Sequence, residues 1–226
     1  MDLTGKVIAF DADDTLWQNE INYRKAEREF AKVMLPFCKD EQQAIAYLMK
    51  VEGRNIPLLG YGSKTFIIAL VESAMELSGH KADNRLIEKV IEIGKTTVSP
   101  KMELYPHVEE VLRELGKSHR LVLATKGDLR DQQDKIRKSN LAGYFCHIEI
   151  MSEKDEENYL ALIEKLGITP QRFVMVGNSF KSDIIPVLNI GASAIYIPSE
   201  IIWAHEKTEE FEDKNLLKLK SIKELI

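Results

Sequence analysis

The segment Phe10-Asp11-Ala12-Asp13-Asp14-Thr15-Leu16 places three carboxylates in four positions, directly after the apolar run Val7 to Phe10. A carboxylate can attack phosphorus and form an acyl phosphate. It cannot do so unaided, because phosphate and carboxylate repel; a divalent cation removes that obstacle by neutralising both. A residue two positions along can face the same pocket, protonate the leaving oxygen and later deprotonate water. Asp11 and Asp13 are the candidates for these two roles. Asp also favours turns, so a bare acidic turn is the competing reading, and the density of acids after a strand-like run argues against it.

The elements that must position these groups follow from the apolar pattern. Val7–Phe10 is a short continuous apolar run, as are Leu121–Ala124 ending at Thr125, Phe173–Val176 ending at Gly177, and Ala194–Ile197 ending at Pro198; Cys146–Met151, ending at Ser152, is a weaker copy. Such runs suit buried parallel strands. Helical periods lie between them. Pro106 opens one carrying Val108, Val111, Leu112 and Leu115; residues 155–166 hold another, stopped by Gly167; a third starts near Asp183 and ends at Gly191. Strands alternating with helices predict an α/β fold with a doubly wound, parallel, Rossmann-like sheet. Ligands of such sheets sit beyond the carboxyl ends of the strands, where Asp11, Thr125 and Gly177 all fall.

Residues 18–99 break the alternation. They read as helices at 22–36, 40–52, Ser63–Leu77 (with Ser63 as N-cap) and Arg85–Thr97. The expected organisation is an α/β core of 1–17 and 100–226 interrupted by a helical domain of 18–99.

The formal charge of -5 comes without blocks of basic residues, so neither nucleic acid nor a membrane surface is an expected partner. Two cysteines, Cys38 and Cys146, allow no metal spacing and no disulfide framework. With no signal-peptide pattern at the first residues, the expected setting is cytoplasmic.

Asp11-x-Asp13-x-Thr15-Leu16 resembles the first motif of the haloacid dehalogenase superfamily. The resemblance implies Asp11 as nucleophile and Asp13 as general acid/base. Asp13 also sets the chain with the family's phosphatases, since the true dehalogenases lack that acid. Three further motifs follow in order. Leu121-Val122-Leu123-Ala124-Thr125 matches the second, implying that the Thr125 hydroxyl binds a phosphoryl oxygen; Lys126, next to it, would add positive charge there or lie on the surface. Lys154, ahead of the 155–166 helix, holds the place of the third motif's lysine, although the usual Pro after it is missing; Lys181 is a weaker substitute. Gly177-Asn178-Ser179-Phe180-Lys181-Ser182-Asp183 has the spacing of the fourth, with Asn178 standing where an acid is usual.

The resemblance further implies a phosphatase acting on a small-molecule phosphate, with Mg2+ held by Asp11, the backbone carbonyl of Asp13, and Asn178 or Asp183. The helical insert would be a C1-type cap, in which Arg54, Asn55, Tyr61 and Lys64 sit on a loop-like stretch that could reach substrate or serve the cap's own turns. A monomer or homodimer is expected. A phosphomutase and a non-catalytic phosphate-binding protein are the rival readings. The Trp203-Ala204-His205-Glu206 stretch could line the pocket rim with its Trp/His pair but reads better as a docked C-terminal helix, and the isolated histidines need no functional role.

Overall fold

In the computed structural model, residues 1–98 and 100–226 are described. The expected end of the helical insert, Ser99, lies outside them. The chain divides into two compact units: unit 1 is Met1–Gln18, Met102–Lys126 and Gln132–Ile226, and unit 2 is Asn19–Lys101 with Gly127–Asp131. Residues 127–131, expected within the core, thus group with the helical insert.

Unit 1 holds a six-stranded parallel sheet in the order β3-β2-β1-β4-β5-β6. Its strands are β1 (Val7–Phe10), β2 (Arg120–Lys126), β3 (His147–Met151), β4 (Phe173–Gly177), β5 (Ser193–Tyr196) and β6 (Leu216–Lys218). The first five are the five apolar runs. The sixth was not foreseen, because Leu216-Leu217-Lys218 is short and lysine-flanked; it sits at the sheet edge, where a short charged strand limits unwanted pairing. In the register, Phe10 stands opposite Leu123 on one side and Val176 on the other.

Alternate strand residues feed two cores. Val7, Ala9, Val122, Ala124, Phe173 and Met175 face one side, where helix α7 (Glu156–Lys165) covers them with Tyr159, Leu162 and Ile163. Ile8, Phe10, Leu121, Leu123, Val174 and Val176 face the other, covered by Val108, Val111 and Leu112 of α5 (Val108–Leu115) and Ile136 of α6 (Leu129–Ser139). Burial on both faces is why the strands read as continuous apolar runs rather than alternating ones.

The helix expected from Asp183 begins instead as a π turn over Phe180–Ile184, passing into the short α8 (Ile185–Asn189), which carries Pro186 in its first turn. Residues 203–206 form only a 3-10 turn, Ala204–Glu206, in place of the expected helix.

The two ends of unit 1 that flank the insert are bonded to each other. Tyr105 N–H donates to the Leu16 carbonyl at 2.9 Å and Gln18 N–H to that of Glu103 at 2.9 Å. A long insertion between paired ends costs little extra loop entropy.

Unit 2 contains α1 (Glu20–Met34), α2 (Glu41–Leu59), α3 (Ser63–Leu77) and α4 (Asn84–Lys95), packed on a core of Phe30, Met34, Leu48, Phe66, Leu70 and Val90. Asp40 caps α2 and Asp83 caps α4, each accepting a backbone N–H of the first turn. Helix α2 runs past the expected stop at residue 52 and carries Pro57 in its last turns, so Arg54 and Asn55 are helical rather than on a loop. Ser63 is the first residue of α3, not its N-cap; Gly62 holds the cap position, and the Asp131 carboxylate accepts from both the Ser63 N–H and its hydroxyl. An acid at a helix N-terminus suits the macrodipole. Among the described residues, no helix is long and apolar enough to cross a membrane.

Unit 2 also buries Glu20, Glu27 and Glu52. Burial lifts the Glu27 carboxyl above its ordinary value despite the Arg24 guanidinium 2.9 Å away. A raised carboxyl favours folding below its unfolded value, and that advantage is lost as pH rises through the folded value. Glu27→Gln, which removes the titration, is expected to gain on the wild type as pH rises from about 4 to about 7. Urea midpoints of the two chains at both pH values check this.

Candidate active site

The site is assembled at the carboxyl ends of β1, β2 and β4, all within unit 1. The Asp11 N–H donates to the Val176 carbonyl at 2.8 Å, which carries the β1–β4 pairing one residue beyond Phe10. The chain then folds back at once. Leu16 N–H donates to the Ala12 carbonyl at 2.9 Å and Asp14 N–H to that of Trp17 at 2.7 Å. Asp14 takes a left-handed backbone with φ 62°, a conformation that Asp tolerates better than most residues. The third acid of the cluster is therefore a turn residue.

The Asp11 carboxylate is buried and engaged on both oxygens. Lys154 Nζ donates to Oδ1 at 2.5 Å and the Thr15 hydroxyl to Oδ2 at 2.9 Å. Lys154, just ahead of the Asp155 cap of α7, also donates to Asp183 Oδ1 at 2.6 Å. One buried ammonium thus bridges two buried carboxylates. Burial alone would lower the Lys154 ammonium's pKa, but Asp11 and Asp183 outweigh it and hold the value well above the ordinary one. Burial lifts the Asp11 carboxyl to about 7 against the pull of Lys154, and the Asp183 charge adds to the rise. Lys181, the substitute considered from sequence, instead donates to the His205 carbonyl at 2.9 Å.

Asp183 is held twice more. Its Oδ2 accepts the Ser179 N–H at 2.9 Å, and its own N–H donates to the Ser179 carbonyl at 2.8 Å. The buried Tyr159 hydroxyl donates to the Ser182 carbonyl at 3.1 Å and pins the π turn from the helix side. The carboxylate lies so close to the end of β4 that a Cβ on Gly177 would fall 2.2 Å from Asp183 Oδ2. Position 177 is therefore restricted to glycine by close approach rather than by a turn.

Asp13 has partners that its own motif does not announce. Trp17 Nε1 donates to Oδ1 at 2.7 Å, and Gln132 Nε2 and Lys135 Nζ donate to Oδ2 at 2.8 and 2.7 Å. Burial pushes the Asp13 carboxyl up; the Lys135 charge, with hydrogen bonds from Lys135, Gln132 and Trp17, more than reverses this and leaves it below the ordinary range. Gln132 and Lys135 are spaced i, i+3 on α6 and so share a face, but nothing in the sequence marks that face.

Asn178 Oδ1 lies 3.1 Å from the Thr15 hydroxyl, whose single proton is shared between it and Asp11 Oδ2. Oxygens of Asp11 and Asn178 converge on this hydroxyl, a hard donor pair of the kind Mg2+ prefers. Among the described residues, no group of three His, Cys, Asp or Glu side chains is placed to hold a metal, so a cation here would draw on the Asn178 amide and on backbone oxygen. Thr125 is buried in β2, two residues past Leu123, the register partner of Phe10. Lys126 is largely buried rather than on the surface; its Nζ donates to Glu153, Ser182 and Glu206 at 3.2, 2.9 and 2.7 Å. In unit 2, Arg54 pairs with Glu76 at 2.8 Å, Asn55 donates to Glu72 at 2.6 Å and Lys64 pairs with Asp128 at 2.8 Å.

Residues 6–191 match the model of the haloacid dehalogenase-like hydrolase family. The chain belongs to that family. It is 30% identical over 199 residues to the N-acylneuraminate-9-phosphatase of Mus musculus, covering 84% of this chain and 80% of that one. It is 28% identical to a phosphorylated carbohydrates phosphatase of Thermotoga maritima, covering 84% of each. A crystal structure of a haloacid dehalogenase-like family hydrolase from Xanthomonas campestris superposes with a TM-score of 0.88 at 34% identity, covering 97% of this chain and 88% of that one. The chain is thus an enzyme of this family and groups with its phosphatases, as Asp13 implied.

The contact at Gly177 yields a direct check. Gly177→Ala would drive the Asp183 carboxylate off both Lys154 and the Ser179 N–H. A displacement of this size near reacting groups costs about 10²-fold. Hydrolysis of an aryl phosphate by Gly177→Ala is expected to fall by that order while its far-UV circular dichroism stays that of the wild type.

Proposed function

We propose that the enzyme hydrolyses a small-molecule phosphate monoester through an aspartyl-phosphate on Asp11, with Mg2+ as cofactor. The observation that carries this reading is the buried Asp11–Lys154–Asp183 bridge, with the Thr15 hydroxyl fixing the other oxygen of Asp11. It holds a carboxylate immobile at a strand end and keeps positive charge beside it, as an attacking oxygen with an anionic substrate requires.

In the first step an Asp11 oxygen forms a bond to phosphorus while the bond to the leaving alcohol breaks, and Asp13 passes to that alcohol a proton it has taken from the monoanionic phosphate ester on binding. In the second, water attacks the acyl phosphate, Asp13 takes its proton, and Asp11 and inorganic phosphate are released. Lys135 favours the ionised form of Asp13, the form that the second step uses. Thr125 and Lys154 would hold the phosphoryl oxygens. Asp11, the Asp13 carbonyl and Asn178 would hold Mg2+, which would supply positive charge where one ammonium faces two carboxylates. Asp183, bonded to Lys154 and to the Ser179 N–H, would hold the ammonium beside Asp11 in this reading.

The names of the relatives support a phosphorylated carbohydrate as substrate class. The helical unit 2 occupies the chain position of a C1-type cap, and we assign it that role; in such enzymes the cap shields the reaction from water and selects substrate. Free cysteines at 38 and 146 suit a cytoplasmic setting.

Asp11→Asn is expected to lose about 10³-fold or more in kcat/KM on an aryl phosphate with Mg2+, as removal of a nucleophile does. Full activity in that variant would rule the mechanism out, and a panel of sugar phosphates would rank the substrate class.

A further inference from the structure

Behind the site runs a second polar network whose members are each one residue away from a site residue. Lys126 follows Thr125, Glu153 precedes Lys154, Ser179 follows Asn178 and Ser182 precedes Asp183. Glu206, from the 3-10 turn Ala204–Glu206, joins them. Its Oε1 accepts from Lys126 Nζ at 2.7 Å, and its Oε2 accepts from the Ser182 hydroxyl at 2.7 Å and from the Ser179 hydroxyl. Glu153 Oε1 takes a bond from the same Lys126 ammonium at 3.2 Å and from the Lys154 N–H at 3.0 Å. Lys181, between the two serines, reaches the His205 carbonyl at 2.9 Å.

The loop carrying Asn178 and Asp183 is thus gripped along its length by one turn far away in sequence. An ammonium has three N–H donors, and Lys126 directs them at Glu153, Ser182 and Glu206. Burial pushes the Glu206 carboxyl up, yet Lys126 and the two serines bring it below its ordinary value.

We propose that Glu206 is a positioning residue for the cation: it clamps the 178–183 loop so that the Asn178 amide oxygen stays aligned with Asp11. This rests on the reading above that Mg2+ binds there. Asn178 brings no charge, so its contribution depends on orientation more than an acid's would. Groups that orient metal ligands typically change affinity by about 10–100-fold when removed.

The test is isothermal titration calorimetry of Mg2+ on the full chain, for the wild type, Glu206→Ala, Glu206→Gln and Ser182→Ala, with steady-state kinetics alongside. Glu206→Ala is expected to weaken Mg2+ binding by about tenfold or more. Glu206→Gln, which keeps an oxygen for the serines, and Ser182→Ala, which removes the bonds to Glu206 and from Lys126 but leaves the Glu206–Lys126 and Glu206–Ser179 bonds, are expected to weaken it less. KM for substrate at saturating Mg2+ should stay within about twofold, a split that general destabilisation would not give. Mg2+ affinity within about twofold of the wild type in all the variants that fold would overturn the clamp while leaving the mechanism standing. A wild type that neither binds Mg2+ nor requires it would overturn the cation reading itself, and the clamp with it. Should Glu206→Ala not fold, Glu206→Gln and Ser182→Ala decide.

Discussion

One ammonium between two carboxylates organises this enzyme. Lys154 lies buried, bonded at 2.5 Å to Asp11 and at 2.6 Å to Asp183. Buried charges are tolerable only when paired and hydrogen-bonded, and each member meets that demand through a different part of the chain. Asp11 borrows the Thr15 hydroxyl from its own turn, and Asp183 borrows the Ser179 N–H. The cost is paid in sequence freedom: Gly177 must lack a Cβ so that the Asp183 carboxylate can lie against the strand end. The parallel register places β1 beside β4, and the helices on either face keep the strands dry. The sheet therefore delivers a carboxylate and its counter-charge to one point before any ligand arrives.

The two acids of the first motif stand in opposite environments. Asp11 shares its ammonium with another carboxylate and its pKa rises, whereas Asp13 has Lys135 as its ion-pair partner and its pKa falls. Groups whose environments push their pKa values apart are the mark of divided acid–base roles. A cation beside Asp11 would favour its ionised form, and the proposed mechanism assigns the proton transfers to Asp13. The Lys135 pair favours the ionised form of Asp13, the form that in this proposal would take the proton of water.

The strands were legible because burial on both faces leaves an uninterrupted apolar run, and the strand ends pointed to Asp11, Thr125 and Gly177 without any contact being known. Lys154 was legible only through its place in the order of motifs. What was not legible depended on tertiary partners. Helix α2 continues past residue 52 through a stretch that reads as loop-like, since Asn55 is buried there with its amide on Glu72 and such tertiary partners outweigh local propensity. Lys126 looked like a surface lysine because a lysine's burial depends on acceptors far along the chain, here Glu153, Ser182 and Glu206. Glu206 carried no signal, since its turn follows the last clear strand run and neither apolar period nor motif marks it. Gln132 and Lys135 were hidden similarly, on a helix whose polar residues outnumber its apolar ones.

Asn178 then takes on a physical sense. Asp11 and Asp183 already share the one ammonium of Lys154, in a site with little solvent. A third carboxylate at 178 would add repulsion that only a bound cation could relieve. An amide keeps a hard oxygen in place, held by the Thr15 hydroxyl, without that added charge. The exchange trades electrostatic attraction for the cation against a calmer site in its absence. As the proposed ligand, a neutral amide would offer less pull and depend more on angle, and the burden would pass to whatever fixes the loop's shape. In this chain that is a web of hydrogen bonds from Ser179 and Ser182 to Glu206, tied through Lys126 to the strand that bears Thr125.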